Sequence, residues 1–128
     1  MPAPISKPAK RILIIDDDLA LRESLSKYLT RAGYSVQYAA NGDTGVSTFE
    51  REPSDVVLVD IFMPGQGGLQ TIDRLRRGSP QARIIAMSGA TSVGALDVKG
   101  HALAMGADRF LEKPFEPATL VTLIAALL

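Results

Sequence analysis

The stretch from Asp55 to Asp60, DVVLVD, decides the fold, because a run of β-branched and apolar residues ends there on a carboxylate. Such a run is typical of a strand buried on both faces of a parallel sheet. Asp60 is therefore predicted at the carboxyl end of a central strand, where open α/β sheets place their chemistry. Pro64 and Gly65 are expected to turn the chain into a loop that leaves the carboxylate accessible.

Four other segments are predicted as strands. Arg11 to Ile15 (RILII) and Ala82 to Met87 (ARIIAM) are apolar enough for central strands. Tyr34 to Ala40 alternates, with Tyr34, Val36 and Tyr38 expected on the drier face, which predicts an edge strand. Arg109 to Glu112 is a brief fifth strand.

Helical patterns alternate with these strands. The residues expected on their buried faces are Leu21, Leu25, Tyr28, Leu29 and Ala32 in the first helix, Val46 and Phe49 in the second, Leu69, Ile72 and Leu75 in the third, and Leu120, Leu123, Ile124 and Leu127 in the last. The segment from Ala90 to Ala107 is diluted by glycines and predicts a long loop with a marginal fourth helix. The pattern predicts an α/β fold with five helices and a doubly wound five-stranded parallel sheet, in the order 2-1-3-4-5.

Length and composition indicate the domain organisation and exclude some classes of function. With 128 residues and 46% hydrophobic content, the chain is expected to form one domain over residues 11–128, preceded by a flexible tail at residues 1–10. Fourteen basic and fourteen acidic side chains cancel, so neither nucleic acid nor a membrane is an expected partner. The chain has no cysteine, which excludes thiol catalysis and fits a cytoplasmic location.

The strand order brings Asp16 and Asp17, which follow the first strand, next to Asp60 at the point where the sheet reverses direction. Three close carboxylates repel one another, so the cluster predicts a bound cation. Oxygen ligands alone select a hard ion, Mg²⁺ or Mn²⁺. Ser88 and Lys113 end the neighbouring strands and complete the groups that phosphoryl transfer to an aspartate requires. Asp18 is expected to cap the first helix.

The chain resembles the receiver domain of response regulators in two-component signalling, which has a CheY-like, flavodoxin-like fold. The motifs that carry the resemblance are Asp16-Asp17, Asp60-x-x-Met63-Pro64-Gly65, Ser88-Gly89 and Lys113-Pro114-Phe115. The likeness covers nearly all of Arg11 to Leu128. It implies a signalling module, not an enzyme with an external substrate.

The resemblance implies that Asp60 accepts a phosphoryl group from a histidine kinase or a phosphotransfer protein. Asp17, Asp60 and the backbone carbonyl of Phe62 would bind Mg²⁺ directly, and Asp16 would act through water. Phe62 and Ala90, two residues beyond Asp60 and Ser88, would tune hydrolysis of the phosphoryl group. Neither side chain can hydrogen-bond the attacking water, so slow hydrolysis is expected.

Further implied roles concern switching. Ser88 and Lys113 would hold phosphoryl oxygens, Lys113-Pro114 would be a cis peptide, and Phe110 would be the aromatic switch. The output partner, whose identity the sequence leaves open, would bind a surface formed by the fourth helix, the fifth strand and the fifth helix. The segment between Ser88 and Lys113 is a few residues longer than is usual in the family.

Two alternatives remain open at this stage. Asp16-x-Asp18 after an apolar strand also resembles haloacid-dehalogenase-type phosphatases, in which Asp16 would be the nucleophile. Ala20 stands where that family has Thr or Val, and no late acidic pair follows Lys113. The second alternative is a pseudo-receiver that binds partners without being phosphorylated.

Overall fold

The computed structural model describes residues 8–63 and 67–128, in which strands and helices alternate. In chain order the elements are β1 (Arg11–Ile15), α1 (Leu19–Arg31), β2 (Ser35–Ala39), α2 (Gly42–Arg51), β3 (Val56–Asp60), α3 (Gly68–Gly78), β4 (Arg83–Ser88), β5 (Ser92–Val93), β6 (Leu96–Asp97), α4 (Val98–Met105), β7 (Arg109–Glu112) and α5 (Pro117–Leu127). The predicted turn at Pro64-Gly65 and most of the predicted tail lie outside the described residues.

The main sheet has the order β2-β1-β3-β4-β7, and every neighbouring pair is parallel. This confirms the predicted order, with β7 as the fifth strand because β5 and β6 form a separate pair. In the centre, Leu58 pairs with Ile14 on one side and with Ile85 on the other. All three side chains are fully buried, as expected for a sheet covered on both faces.

Helices cover both faces of the sheet and separate two hydrophobic clusters. The first cluster packs under α2, α3 and α4 and includes Leu13 and Val57, whereas the second packs under α1 and α5 and includes Ile14 and Leu58. Neighbouring residues of one strand therefore enter opposite clusters, as the period of a strand requires.

Three predicted buried positions are wrong. Ala32 is exposed, because it is the C-cap residue that follows the last residue of α1. Tyr28 is 40% exposed, because the helix directs Leu25 and Leu29 into the core and leaves Tyr28 at the edge of the apolar stripe. Tyr38 is 55% exposed on edge strand β2, where the Arg22 guanidinium lies 5.1 Å from its ring centre. A tyrosine with a cation over its face is stabilised without being buried.

The segment after β4 differs from the predicted long loop. β5 and β6 form a short antiparallel hairpin in which Val93 pairs with Leu96. Gly94 opens its two-residue turn at a φ of 59°, a conformation that glycine adopts without steric cost. The sequence contains this glycine, but the two-residue strands are too short to show a period.

The hairpin leads directly into α4. Asp97 ends β6 and also caps α4, since its carboxylate accepts the backbone N–H of Gly100 at 2.9 Å. The backbone N–H of Lys99 donates to the carbonyl of Thr91 at 3.2 Å, which ties the first turn of the helix to the start of the hairpin. A helix that Gly100 weakens is thus stabilised from its N-terminal end.

Replacing Asp97 with Ala should lower the free energy of unfolding by about 1 kcal/mol, because the helix loses its N-terminal cap. Amide exchange across residues 98–105 should become faster, and urea unfolding gives the stability. Asp97→Asn is the matched control, since it removes the charge but keeps the accepting oxygen. Equal destabilisation by both substitutions would show that the charge, and not the cap, is what stabilises α4.

Candidate functional site

The described side chains with the clearest chemistry gather at the carboxyl ends of four parallel strands. Asp16 follows β1, Asp60 ends β3, Ser88 ends β4 and Lys113 follows β7. Strands β1 and β3 are neighbours in the sheet, and the chain reverses its direction of winding between them. Ligands of open α/β sheets bind at this kind of position.

Three carboxylates form the acidic part of the site. Asp16, Asp17 and Asp60 each place an oxygen within 4.8 Å of the others. Asp16 is fully buried and Asp60 is 5% exposed, whereas Asp17 is open to solvent. The two buried carboxylates and the accessible carboxylate form a group of oxygen donors that fits a hard divalent cation.

Lys113 supplies the positive charge of the site. Its Nζ lies 2.8 Å from an oxygen of Asp16 and 3.4 Å from an oxygen of Asp60. Its backbone N–H donates to the carbonyl of Ser88 at 2.7 Å, and its peptide bond to Pro114 is cis. Both its backbone and its ammonium group are therefore fixed relative to β4 and the carboxylates.

The ionisation of these groups follows from their surroundings. The pKa of Asp60 is raised from 3.8 to about 6, first because burial disfavours the charged form and then because Asp16 carries a like charge. Lys113 and the backbone N–H of Phe62, which donates to the Asp60 carboxylate, partly offset this rise in pKa. Burial alone would lower the pKa of Lys113, but its hydrogen bond to Asp16 and the nearby carboxylate charges raise it above its usual value.

The second and third aspartates of the Asp16-Asp17-Asp18 run have different surroundings. The backbone N–H of Asp18 donates to Asp16 at 2.9 Å, which holds the turn after β1 closed. The side chain of Asp18 accepts the backbone N–H of Leu21 at 3.2 Å, which confirms that it caps α1. Asp17 is left free to face the acidic cluster.

Ser88 is fully buried at the end of β4. Its hydroxyl donates to the carbonyl of Ala90 at 2.8 Å and accepts the backbone N–H of Ala90 at 3.1 Å. The hydroxyl therefore holds the first turn of the segment that leads to the hairpin.

The other residues singled out from the sequence lie around this centre. Phe110 is half-buried on β7 and packs against the cluster under α2, α3 and α4. Phe62 follows β3 by two residues and is 49% exposed, while Ala90 is half-buried. Neither Phe62 nor Ala90 brings a polar side chain to the site.

Sequence reasoning missed one residue beneath the site. Gly68, the first residue of α3, lies against the backbone of Asp60, and a Cβ there would be 2.1 Å from the Asp60 carbonyl oxygen. The signal in the sequence is a glycine pair before a helix, which more often indicates only a loop. The close approach arises from tertiary packing.

Comparison with known proteins identifies the family. The profile of the response regulator receiver domain matches residues 12–125. The chain belongs to the response regulator receiver domain family. Receiver domains are signalling modules, and the haloacid-dehalogenase alternative is not favoured.

Individual relatives agree with this. Chemotaxis protein CheY of Thermotoga maritima is 35% identical over 113 residues, which are 88% of this chain and 92% of that protein. Transcriptional activator protein PfeR of Pseudomonas aeruginosa is 38% identical over 124 residues, or 97% of this chain. This receiver domain spans only 39% of the length of PfeR.

Solved structures agree on the fold. A CheY-like receiver domain protein from Methanospirillum hungatei has a TM-score of 0.86 and 31% identity, with 93% of each chain covered. A response regulator from Burkholderia pseudomallei, with a TM-score of 0.81 and 30% identity over 88% of this chain and 65% of its own, was crystallised with a phosphorylated aspartic acid, a calcium ion and citrate. In residues 8–63 and 67–128 of this receiver domain, no helix combines the length and the apolar character that crossing a membrane requires.

The raised pKa of Asp60 predicts how stability depends on pH. Between about pH 4 and pH 6 the folded, metal-free protein keeps a proton on Asp60 that the unfolded chain has released, so its free energy of unfolding falls as the pH rises. Asp60→Asn removes this effect. The stability of the variant relative to wild type should therefore rise by about 2 kcal/mol between pH 4 and pH 7.

Urea unfolding in the presence of a chelator measures this difference at each pH. Asp18→Asn is the control, because Asp18 is exposed and caps α1 through an oxygen that asparagine retains. A stability difference between Asp60→Asn and wild type that stays constant from pH 4 to pH 7 would contradict the raised pKa.

Proposed function

We propose that Asp60 is the phosphoryl acceptor of this receiver domain and takes the group from a histidine kinase or phosphotransfer protein in a Mg²⁺-dependent reaction. One observation supports this most directly: the Asp60 carboxylate lies among two other carboxylates and 3.4 Å from the ammonium group of Lys113. This set combines a nucleophile, oxygen donors for a cation and a positive charge for phosphoryl oxygens.

The cation is Mg²⁺ in this proposal, and Mn²⁺ is the possible substitute. Asp17, Asp60 and the backbone carbonyl of Phe62 would bind it directly, with Asp16 acting through water. The fully buried Asp16 already bonds to Lys113 and to the backbone N–H of Asp18, which supports the indirect role. When bound, the cation supplies positive charge that neutralises phosphoryl oxygens.

The proposed transfer is a direct displacement. An oxygen of Asp60 forms a bond to phosphorus while the bond between phosphorus and the donor's imidazole nitrogen breaks, and the imidazole leaves with the bonding electrons. Asp60 must be ionised to attack, and a pKa of about 6 leaves it mostly ionised at neutral pH. The ammonium group of Lys113 would then bind a phosphoryl oxygen, and this contact would partly replace its present contact with the Asp60 carboxylate.

Switching would begin at Ser88. Its hydroxyl now donates to the carbonyl of Ala90, and a phosphoryl oxygen offers a stronger, charged acceptor. A change of partner would release the turn at Ala90 next to the hairpin and α4, while Phe110 would move inward on β7. Phosphorylation would thereby bias two conformations of the output surface made by α4, β7 and α5.

The wider context is part of the same proposal. Residues 11–128 would form the receiver domain, and the protein would act in the cytoplasm. Its catalytic role would be limited to its own phosphorylation and dephosphorylation. The output partner would bind the surface of α4, β7 and α5.

Incubation with acetyl phosphate and Mg²⁺, followed by intact-mass measurement, tests the assignment. The wild-type protein should gain one phosphoryl group, and Asp60→Asn or chelation of the metal should abolish the gain. Asp18→Asn is the matched control and should still be labelled. Labelling of Asp60→Asn at the wild-type level would exclude Asp60 as the acceptor, and a folded wild type that is never labelled would favour the pseudo-receiver.

The lifetime of the phosphoryl group forms a separate prediction. Phe62 and Ala90 offer no hydrogen bond to an attacking water, so loss of phosphate from Asp60 should be slow. Replacing them together, as Phe62→Asn with Ala90→Glu, should shorten the lifetime by at least about 10-fold while labelling is retained, because polar groups can position the water. Intact mass followed over time after removal of acetyl phosphate measures the rate. Decay at the wild-type rate would show that these side chains do not control access of water.

A further inference from the structure

The first residue of α3 packs directly against the backbone of the phosphoryl acceptor. An added Cβ at Gly68 would lie 2.1 Å from the carbonyl oxygen of Asp60 and 2.5 Å from the Cα of Ile61. Both neighbours are backbone atoms, which cannot rotate away as a side chain can. Only glycine allows the helix to approach the strand so closely.

A hydrogen bond fixes the same contact. The backbone N–H of Gly68 donates to the carbonyl of Ile61 at 2.9 Å, which closes the base of the connection between β3 and α3. The N–H of Ile61 donates in turn to the carbonyl of Met87 on β4 at 2.9 Å. Ile61 is therefore held on one side by the sheet and on the other by Gly68.

The backbone of the next residue, Phe62, belongs to the proposed site. The backbone N–H of Phe62 donates to the Asp60 carboxylate, and the Phe62 carbonyl is a proposed ligand of Mg²⁺. A shift of Ile61 would move the backbone of Phe62 together with Asp60. Gly68 touches none of the reacting groups, but it sets the place of the backbone that carries two of them.

We infer that Gly68 is a positioning residue, which fixes Asp60 and the backbone of Phe62 for Mg²⁺ binding and phosphorylation by bringing α3 against the end of β3. This inference rests on the proposed function. It adds that the geometry of the site depends on the absence of a side chain beneath it.

The size of the clash indicates the size of the effect. Ordinary contact begins near 3.4 Å, so a methyl group at 2.1 Å forces a movement of about 1 Å. Mg²⁺ requires near-ideal octahedral geometry with ligands at roughly 2.0–2.1 Å. A misplacement of about 1 Å can cost about 100-fold in rate at a reacting centre.

Movement of α3 would not avoid this effect. If the helix withdrew from the strand, the hydrogen bond from Gly68 to Ile61 would lengthen or break, and the connection would lose the tie at its base. If the strand moved, Asp60 itself would be displaced. Both responses alter the Ile61–Phe62 segment, while the buried face of α3 at Ile72 and Leu75 lies farther along the helix.

The test compares Gly68→Ala with two controls. Gly67→Ser adds a larger side chain at the neighbouring position, where the one described atom that a Cβ would meet is the Ile61 carbonyl oxygen at 4.0 Å. Serine is also a favoured residue at the start of a helix. Leu75→Ala destabilises the same helix through its buried face, away from the site. Titration with Mg²⁺ by calorimetry and labelling with acetyl phosphate are measured at a temperature where circular dichroism shows each protein folded.

Gly68→Ala should weaken Mg²⁺ binding by about 10- to 100-fold and slow labelling by a similar factor. Gly67→Ser and Leu75→Ala should bind Mg²⁺ and be labelled as wild type. Equal Mg²⁺ affinity in folded Gly68→Ala and Leu75→Ala would overturn the inference. A wild-type protein that neither binds Mg²⁺ nor is labelled would instead refute the proposed function.

A measurement on the wild-type protein decides the matter if Gly68→Ala does not fold. Coupling between two sites is reciprocal, so Mg²⁺ must strengthen the contact that positions its ligands. Saturating Mg²⁺ should slow amide exchange at Gly68 and leave Ser79, which donates to Leu75 at the other end of α3, unchanged. Unchanged exchange at Gly68 would overturn the positioning role.

Discussion

The ammonium group of Lys113 lies between Asp16 and Asp60, and the arrangement of the site depends on this contact. Asp16 is fully buried, and a buried carboxylate without a partner is strongly unfavourable. Removing one member of such a pair typically costs about 3–5 kcal/mol, so the contact effectively fixes the end of β7 against the ends of β1 and β3. The same contact keeps a positive charge where phosphoryl oxygens would arrive.

The fold could largely be predicted because the central strands are buried on both faces. Such strands require continuous apolar runs. The run from Val56 to Val59 is of this kind, and all four of its residues are buried. The predictions of burial and of local structure failed where the tertiary position of a residue differs from what the local sequence pattern indicates. Tyr38 has the period of a buried residue, but it lies on an edge strand with Arg22 over its ring, and the hairpin around Gly94 is too short to have any period.

The site could be predicted from the sequence through topology, since the strand order alone places Asp16, Asp60 and Lys113 at the edge of the sheet where the strands have their carboxyl ends. It could not show the present partner of the Ser88 hydroxyl, because a serine after a strand has many local acceptors. Nor could it find Gly68, whose requirement comes from a backbone more than five residues away in the chain. A glycine has no side chain, so it adds no signal to the hydrophobic and polar patterns from which the fold was predicted.

The hairpin also suggests a place to build a reporter into this protein. Its turn at Gly94 is exposed, and both strands leave the turn side by side, so an inserted segment would begin and end about 5 Å apart. The last strand residue, Asp97, is also the cap of α4. A fluorescent domain inserted at the turn would thus be joined to α4 by a two-residue strand instead of a flexible linker.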